Sequence, residues 1–361
     1  MINRLLDLAN QIQQIPSPTF DEKLRAEFVQ DLFTREKLLD ISVDPVGNVF
    51  GRLPGSGRSK PLIISAHLDT VFPKNTELHS TRAEDRIYGP GIGDNSLGVA
   101  ALFGLLWMIR QQKIELPGDI WLVSNVSEEG LGDLRGMKAV VNRFAGNVQA
   151  YLVIEGTALG HVYHRAVGVR RYRISARTEG GHSWSDYGRP SAVHELANFV
   201  TQITALPIPS LPRTTLNVGL ISGGTGVNVL ASYASLELDL RSENMDFLNA
   251  LITLVEEKIR AANRRGVTVE MEIIGERPPG EIPVDHPLVK LAEECLLELD
   301  LKPSFTAGST DANIPLSLGY PALVLGVTTG GSAHTVHEYI ELPPVEKGMQ
   351  QLINFVSRVW D

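Results

Sequence analysis

The stretch Leu62-Ile63-Ile64-Ser65-Ala66-His67-Leu68-Asp69 decides how this chain folds. Its apolar run is bounded by turn-forming residues, and such a run predicts a strand that is buried on both faces. The strand ends in an imidazole, and a carboxylate follows two residues later, so both side chains point the same way along an extended backbone. Most histidines at strand ends bind no metal, but this pair marks a candidate site at the edge of a buried sheet.

Similar segments recur along the chain and alternate with helical periodicity. Apolar strands are predicted at 119–124 and 150–154, and an apolar helix is predicted at 97–111. Strands that alternate with helices indicate an α/β domain with a mixed, largely parallel sheet and helices on both faces. The same pattern returns near the end of the chain, with a helix at 287–299, a strand at 322–325 and a helix at 344–359.

The pattern changes between residues 166 and 280. The predicted order there is strand, helix, strand, strand, helix, strand, which is the order of a ferredoxin-like α+β (βαββαβ) fold. We therefore expect two domains: one made of 1–165 and 281–361, and an inserted domain at 166–280. A length of 361 residues agrees with two hydrophobic cores.

Composition narrows the class of protein. The net charge of -9, without any run of Lys and Arg, disfavours nucleic acid as a partner. The single cysteine, Cys295, forms no intrachain disulfide, and the first residues do not resemble a secretion signal. The longest apolar run, 97–109, has about 13 residues, fewer than the roughly 20 that span a bilayer. These features predict a cytoplasmic protein without a membrane segment.

Three further segments carry carboxylates at turns or strand ends. Asp94 precedes the apolar helix, where it could cap that helix or, among glycines that allow close backbone approach, bridge two metal ions. Glu128 and Glu129 follow the second apolar strand, and adjacent carboxylates there mark a solvated loop or divide the roles of metal ligand and general base. Glu155 directly follows the third apolar strand, a position untypical of a core residue.

A second imidazole, His334, follows the strand at 322–325. With His67 and three carboxylates, it completes a set of ligands that suits two divalent, zinc-like ions. A structural zinc site would instead be closed and rich in cysteine. Because the carboxyl ends of parallel strands meet at one edge of a sheet, the sequence predicts a two-metal site at that edge.

Together these segments resemble the M20 family of dinuclear zinc peptidases and deacylases, which includes peptidase T, glutamate carboxypeptidase, acetylornithine deacetylase and succinyl-diaminopimelate desuccinylase. The resemblance covers essentially the whole chain, and its motifs are highly specific in this order. They are Ser65-Ala66-His67-Leu68-Asp69-Thr70, Gly93-Asp94-Asn95, Ser127-Glu128-Glu129-Gly130, Ile154-Glu155-Gly156 and Ala333-His334-Thr335-Val336-His337-Glu338.

The resemblance implies a role for each of these residues. Asp94 bridges two metal ions, Glu128 is the general base towards a water that bridges them, and Asp69 orients His67. An exchange of roles between Glu128 and Glu129 is the alternative. Zinc is favoured, and cobalt or manganese also suits such ligands. The remaining metal ligands form two pairs, His67 with Glu155 on one ion and Glu129 with His334 on the other.

The resemblance also implies substrate contacts and a dimer. In the inserted domain, His182 stabilises the oxyanion of the tetrahedral intermediate, while Asn228 and Arg241 grasp the substrate. The planar guanidinium of Arg241 suits a substrate carboxylate. Gly308 and Ser309 line the pocket. Because the inserted domain of a partner can lend this histidine in family dimers, we expect a homodimer through that lid or dimerisation domain.

The implied activity is hydrolysis of an amide bond in a small peptide or an N-acyl amino acid with a free carboxylate. The segment around His334 and the loop at 309–313 look most like peptidase T relatives. Glu155 favours the family's carboxypeptidases and deacylases, because its aminopeptidases usually have Asp there. A peptidase T-like aminopeptidase acting on tripeptides is therefore the alternative, and a non-catalytic dimeric binding protein is a distant one.

Overall fold

The computed structural model describes residues 1–361, which form two compact units. The main unit comprises Met1–Ala166 and Gly280–Asp361, and the inserted unit comprises Val167–Pro279. Each unit has its own core of buried apolar side chains. Separate cores are typical of chains of this length.

The α-helices are α1 (Ile2–Gln13), α2 (Lys23–Arg35), α3 (Gly98–Gln112), α4 (Arg135–Phe144), α5 (Ala192–Thr204), α6 (Met245–Ala262), α7 (Pro287–Leu297), α8 (Asn313–Ser317) and α9 (Val345–Arg358). The strands are β1 (Leu39–Val43), β2 (Val49–Leu53), β3 (Leu62–His67), β4 (Thr81–Ala83), β5 (Arg86–Tyr88), β6 (Ile120–Asn125), β7 (Ala150–Glu155), β8 (His161–Ala166), β9 (Gly168–Thr178), β10 (Gly181–His182), β11 (Thr214–Gly223), β12 (Val229–Leu230), β13 (Tyr233–Ser242), β14 (Val267–Arg277), β15 (Gly280–Glu281), β16 (Ser304–Gly308), β17 (Ala322–Gly326), β18 (Gly330–Gly331) and β19 (Tyr339–Glu341).

The main unit is built on one mixed sheet whose central strands are parallel. The strand order is β1-β2-β6-β3-β7-β17-β8-β15, and β16 pairs with β8. The central strands β6, β3, β7 and β17 run parallel, while antiparallel pairs flank them on both sides. Every residue of β3 is buried, which is typical of a strand covered on both faces. The predicted α/β class with a largely parallel sheet is confirmed.

Helix α3 is apolar on all sides because it lies inside the core of the main unit. It contacts α1, α9 and the central strands β3 and β7. By length and composition alone, the helical stretch Ile92–Gln112 could cross a membrane, but 89% of its most apolar window is buried within the structure. Its apolar surface is therefore covered by protein, as in a core helix.

A small separate sheet joins distant segments of the main unit. Its order is β18-β19-β5-β4, with Tyr339 of β19 opposite Tyr88 of β5 and Gly331 of β18 opposite Tyr339. The segment that precedes Asp94 therefore lies beside the segment that follows His334. The sequence does not predict this sheet, because strands of two or three residues leave no periodic pattern.

The inserted unit is a four-stranded antiparallel sheet in the order β11-β13-β9-β14, with α5 and α6 packed against it. Along the chain, these elements follow the predicted strand and helix order. Side chains towards the helices, such as Tyr172 and Leu238, are buried. Alternate residues carry ion pairs instead, such as Arg173 with Glu237 at 3.0 Å.

The structure differs from the sequence-based expectation in two places near the site. Strands β8 and β16 pair with each other, so Gly308 ends a strand where a loop was expected. Helix α3 begins at Gly98 with Leu97 at its N-cap, and no side chain caps it. The alternative role of Asp94 as the cap of this helix is therefore wrong.

Candidate active site

The predicted metal ligands converge at the carboxyl edge of the main sheet. His67 is the last residue of β3 and Glu155 is the last residue of β7. Glu129 lies shortly beyond β6, His334 lies beyond β17, and Asp94 lies in the turn before α3. Because these central strands are parallel neighbours, segments far apart in sequence meet at one edge.

Asp94 lies between two imidazoles. Its Oδ1 atom is 3.1 Å from Nε2 of His67, and its Oδ2 atom is 3.0 Å from Nε2 of His334. Oε2 of Glu155 is 3.8 Å from Nε2 of His67, and Oε1 of Glu129 is 3.4 Å from Nε2 of His334. Each imidazole therefore has one oxygen of the shared carboxylate and one glutamate of its own.

These atoms form two ligand sets that share Asp94. Within each set the candidate ligand atoms lie within 4.8 Å of one another. Metal–ligand distances of about 2.0–2.2 Å allow one ion to contact every atom of such a set. Glu128 belongs to neither set, yet its carboxylate lies within the same distance of His67 and Glu129. Its carboxylate therefore lies beside the candidate ligands.

The charges at this edge favour cations. Burial raises the pKa values of Glu129 and Glu155 to about 7. Burial also opposes ionisation of Asp94, but its bonds to His334 and His67 outweigh that effect and lower its pKa. The carboxylates of Asp94 and Glu129 raise the pKa of His334 to about 10. Buried carboxylates in excess over imidazoles, arranged as two ligand sets, fit a pair of divalent ions.

Asp69 holds the segment that carries the adjacent glutamates. Its Oδ1 atom accepts the N–H of Glu128 at 2.9 Å, and its Oδ2 atom accepts the N–H of Glu129 at 2.8 Å. Nδ1 of His67 lies 3.0 Å from the backbone oxygen of Asp69 and 3.6 Å from its carboxylate. The nearer acceptor for the ring is thus the backbone, which leaves Nε2 for a metal. The carboxylate positions the loop.

A buried segment near the start of the chain supports the same loop. Oε1 of Glu22 accepts the N–H and the hydroxyl of Ser127 at 3.0 and 3.1 Å. Thr19 donates its hydroxyl to Asp69 at 3.0 Å, and Arg25 donates to the backbone oxygen just before Asp69 at 2.8 Å. Ser127 has a φ of 59°, a left-handed conformation that costs energy for a residue other than glycine. Two carboxylates and their partners therefore hold a strained loop in place.

Asn95 fixes the backbone on both sides of Glu155. Its Nδ2 atom donates to the carbonyl of Ile154 at 2.8 Å, and its Oδ1 atom accepts the N–H of Gly156 at 3.0 Å. Asn95 is fully buried, and its peptide bond to the preceding residue is cis. A Cβ atom at Gly156 would collide with the backbone oxygen of Gly93, in the turn that carries Asn95. This close approach of the two backbones therefore requires glycine.

Asp311 is a buried acid near the ligands. Its Oδ2 atom accepts from Nδ2 of Asn125 at 2.7 Å, and its Oδ1 atom has no hydrogen-bond partner. Burial, followed by the charge of Glu128, raises the pKa of Asp311 well above its usual range, which favours the protonated acid. The contact with Asn125 ties the loop that follows Gly308 and Ser309 to the end of β6.

His182 and Asn228 lie on neighbouring segments of the inserted unit. β10 pairs with β12, and the N–H of Ser183 donates to the backbone oxygen of Asn228 at 3.0 Å. Nδ1 of His182 accepts the N–H of Trp184 at 3.2 Å. A neutral imidazole that accepts at Nδ1 carries its proton on Nε2. The exposed ring of His182 therefore presents an N–H donor.

Arg241 already has a partner within the inserted unit. Its Nε atom donates to Oδ1 of Asp239 at 2.7 Å, and Arg171 donates to the same carboxylate at 2.9 Å. Burial alone would raise the pKa of Asp239, but these two guanidinium groups lower it. The Arg241 side chain is 42% exposed, which leaves part of its guanidinium open to solvent.

Comparison with known proteins identifies the family. Residues 63–358 match Peptidase family M20/M25/M40, a match that includes every ligand position described above. The chain belongs to this family. The resemblance of its motifs to the M20 family is confirmed.

Two curated relatives show how far the M20 chain matches known sequences. A peptidase M20 domain-containing protein of Schizosaccharomyces pombe is 29% identical over 251 residues, or 66% of this chain and 60% of that protein. A probable carboxypeptidase of Arthroderma benhamiae is 28% identical over 321 residues, or 78% of this chain and 68% of that protein. The chain therefore spans only part of the length of these fungal relatives.

Solved structures share the fold of the M20 chain over nearly its whole length. A tripeptidase from Staphylococcus aureus has a TM-score of 0.84 at 22% identity, and the match covers 99% of this chain and 98% of the tripeptidase chain. The aminopeptidase PepT from Bacillus cereus has a TM-score of 0.81 at 20% identity, and the match covers 100% of this chain and 99% of the PepT chain. The YXEP protein of Bacillus subtilis, described as a dinuclear metal binding peptidase from the M20 family, has a TM-score of 0.69 at 15% identity, covering 99% and 97%.

Sequence reasoning assigned no role to four buried polar residues that support the site of the M20 chain. Two of them stood inside motifs of the sequence analysis, one directly after Asp94 and one four positions after His334, and a third lay in the loop at 309–313. Their place in these segments was the available clue. The fourth gives no such pattern, since its partners are distant in sequence. The four are Glu22, Asn95, Asp311 and Glu338.

Proposed function

We propose that this M20 protein is a two-metal hydrolase that cleaves the amide bond of small peptides or N-acyl amino acids with a free carboxylate. The observation that carries the proposal is the position of Asp94, whose two oxygens lie 3.1 and 3.0 Å from Nε2 of His67 and His334. One ion would be held by His67, Asp94 and Glu155, and the other by Asp94, Glu129 and His334. Zinc suits this mixed set, with cobalt and manganese as alternatives.

Glu128 is the general base in this proposal. When bound, the ions polarise the scissile carbonyl and lower the pKa of the attacking water. Glu128 accepts the proton from that water and passes it to the leaving amine. The bond from its N–H to Asp69 supports this role, because it fixes the loop close to the ligands. The exchange of roles with Glu129 is less favoured, since Glu129 completes the set of His334.

The inserted unit supplies the remaining polar groups of the proposed mechanism. His182 donates from Nε2 to the oxyanion of the tetrahedral intermediate, which the tautomer set by Trp184 supports. Asn228 contacts the substrate backbone, and Arg241 binds its carboxylate through the open part of the guanidinium. In the main unit, Gly308 and Ser309 contribute hydrogen bonds to the substrate.

A peptidase T-like aminopeptidase acting on tripeptides is the second candidate. The likeness in fold to the tripeptidase of S. aureus and to PepT of B. cereus favours it. Against it stands Glu155, together with the relative described as a probable carboxypeptidase. The first candidate needs a free carboxylate on the substrate, and the second needs a free amino group, so blocked substrates separate them.

A homodimer through the inserted unit is part of the proposal. Strand β11 is an edge of its sheet and exposes Leu220 and Ile221. An unpaired edge strand with exposed apolar side chains offers a surface for a second copy. Light scattering of the protein and of a Leu220→Lys variant tests this, with the dimer expected only for the former. A cytoplasmic location remains a prediction.

The central experiment compares hydrolysis of two substrate panels by the zinc-loaded protein. One panel has a blocked amino terminus and a free carboxylate, and the other has a free amino terminus and an amidated carboxyl terminus. We expect cleavage of the first panel, with two zinc ions per chain. Cleavage of the second panel alone would support the aminopeptidase, and a protein that binds no divalent metal would refute both.

A matched pair of variants isolates the base. Glu128→Ala should keep both metal ions and lose activity, whereas Glu27→Ala changes an exposed glutamate of α2 and should leave both unchanged. Mixing inactive Glu128→Ala with inactive His182→Ala then tests the dimer. Recovered activity would mean that one subunit supplies His182 to the other, and no recovery would place both groups in one chain.

A further inference from the structure

Glu338 is a buried carboxylate that touches the turn carrying Asp94. It is 1% exposed. Its Oε1 atom accepts the N–H groups of Gly93 and Asp94 at 2.7 and 2.8 Å, and its Oε2 atom accepts the N–H of Gly91 at 2.8 Å. Its backbone oxygen accepts the N–H of Gly89 at 2.9 Å. One residue thus receives four N–H groups from a single turn.

The turn depends on these bonds. Gly91 has a φ of 72°, and Asp94 has φ and ψ of -110° and 87°, so neither residue has the conformation of the α-helix that follows. Buried N–H groups that lack an acceptor cost about 1–3 kcal/mol each. A Cβ atom at Gly93 would lie 2.5 Å from Thr157 and 3.1 Å from Oε1 of Glu338, so the carboxylate fits closely against this backbone.

Glu338 also connects the segment that carries Asp94 to the segment that carries His334. It lies between His334 and strand β19, which pairs with β5 just before the turn. The bonds from Glu338 to the turn, together with the pairing of β5 and β19, therefore set the position of Asp94 relative to His334. Asp94 is the only ligand shared by both sets, so a displacement of its turn changes both.

We propose that Glu338 is a positioning residue that holds Asp94 at its bridging position and thereby sets the affinity of both metal sites. The inference rests on the proposed two-metal function. It differs from a role confined to one ion, which would be expected of a residue that supports only Glu155 or only Glu129. Side chains that hold metal ligands in this way typically contribute about 10- to 100-fold in metal affinity.

The test is a calorimetric titration of metal-free protein with Zn²⁺. It is carried out on wild type, Glu338→Gln and Glu338→Ala. We expect both sites to weaken by about 10- to 100-fold in Glu338→Ala. Glu338→Gln should weaken them less, because its amide oxygen still accepts two of the three N–H groups. Glu341→Gln is the matched control three residues further along, on β19, since Glu341 bonds to Arg86 and Thr329 and not to the turn.

Thermal unfolding and circular dichroism accompany the titration. If Glu338→Ala does not fold, Glu338→Gln carries the test, because it keeps the shape of the side chain. A lower melting temperature with two unchanged zinc affinities would overturn the inference, and so would the weakening of one site alone. If wild type itself binds no Zn²⁺, the proposed function fails; if wild type binds two ions and both variants match it, only this inference fails.

Discussion

The two units present their candidate residues in contrasting ways. In the main unit the ligands are held by buried partners, and Asp94 contacts two imidazoles directly. In the inserted unit His182 and Arg241 lie at the surface and contact only local groups. Four of the five candidate ligands are buried or mostly buried, and His334, whose side chain is 57% exposed, still contacts Asp94 and Glu129. Such a cluster is fixed by the fold before any ligand binds, whereas the side chains of the inserted unit lie where a substrate could contact them. Changes to the candidate ligands of the main unit should therefore alter metal binding, and changes in the inserted unit should alter substrate binding or turnover without altering metal binding.

The largest effect that this contrast predicts is that of Asp94→Ala. Removing the shared carboxylate takes one ligand from each set, so we expect loss of both ions and of detectable activity. Metal analysis by mass spectrometry after desalting measures the first, and the preferred substrate panel measures the second. A variant that kept one tightly bound ion would show that the two sets are independent, against the shared position of this residue.

Glu128→Ala should come next, because it removes the base while leaving both ligand sets intact. A general base contributes about 100- to 10,000-fold to rate, and a loss in kcat of that size is expected. Metal content should stay at two ions per chain. Were the zinc content to fall by half instead, Glu128 would be a ligand and Glu129 the base, which is the exchanged assignment.

His182→Ala should lower kcat by about 100- to 1,000-fold, the typical contribution of one oxyanion donor. Zinc affinity should match wild type, since this residue belongs to the inserted unit. Trp184→Ala is the control variant, because it keeps the backbone N–H of residue 184 that sets the tautomer of His182. The contrast between the units would break if His182→Ala changed zinc binding.

Arg241→Ala should mainly raise KM, by about 10- to 100-fold, for substrates with a free carboxylate. That range corresponds to the loss of a hydrogen bond to a charged group. Amidated substrates should respond far less. Arg173→Gln is the control from the same sheet, where partly exposed ion pairs to Glu237 and Glu272 contribute little, and both KM and stability should stay close to wild type.

The smallest effect is the pH dependence of zinc binding by metal-free protein. Asp94 and Glu129 raise the pKa of His334 to about 10, so below that pH its ring carries a proton that zinc must displace. Affinity should therefore fall as pH falls, by up to about tenfold per unit for each proton released. Calorimetry in buffers of different ionisation enthalpy counts the protons. His182→Ala should show the same slope, and a flat profile would contradict the assigned ligand.

Most of the fold, and the convergence of the candidate ligands, could be predicted because they leave local patterns. Strands such as β3 and β7 are buried on both faces, so nearly every position is apolar, and a charged residue at the end stands out. The residues at the ends of β3 and β7 are His67 and Glu155. Parallel pairing then brought the ends together without any information beyond strand order.

The support around the ligands could not be predicted for an equally physical reason. Glu338 and Glu22 bond to backbone N–H groups far away in sequence, and any residue type presents the same N–H. No periodicity records such a contact. β8 was missed because its buried positions include the polar His164, and β16 was missed because all of its side chains are only partly buried. The ligands are specified by residue type, whereas their support is specified by the three-dimensional path of the chain.

The segment that precedes β3 has a practical consequence for anyone who shortens this protein. The family match begins at residue 63, and a fragment cut there would retain all five proposed metal ligands and Glu128. It would lack Thr19, Glu22 and Arg25, which hold the segment just after β3 and the strained loop at Ser127. Boundaries taken from homology alone would thus yield a protein with a complete set of proposed ligands, in which the loop that carries Glu128 and Glu129 has lost part of its support. Expression of an intact amino-terminal segment is a condition for meaningful kinetics.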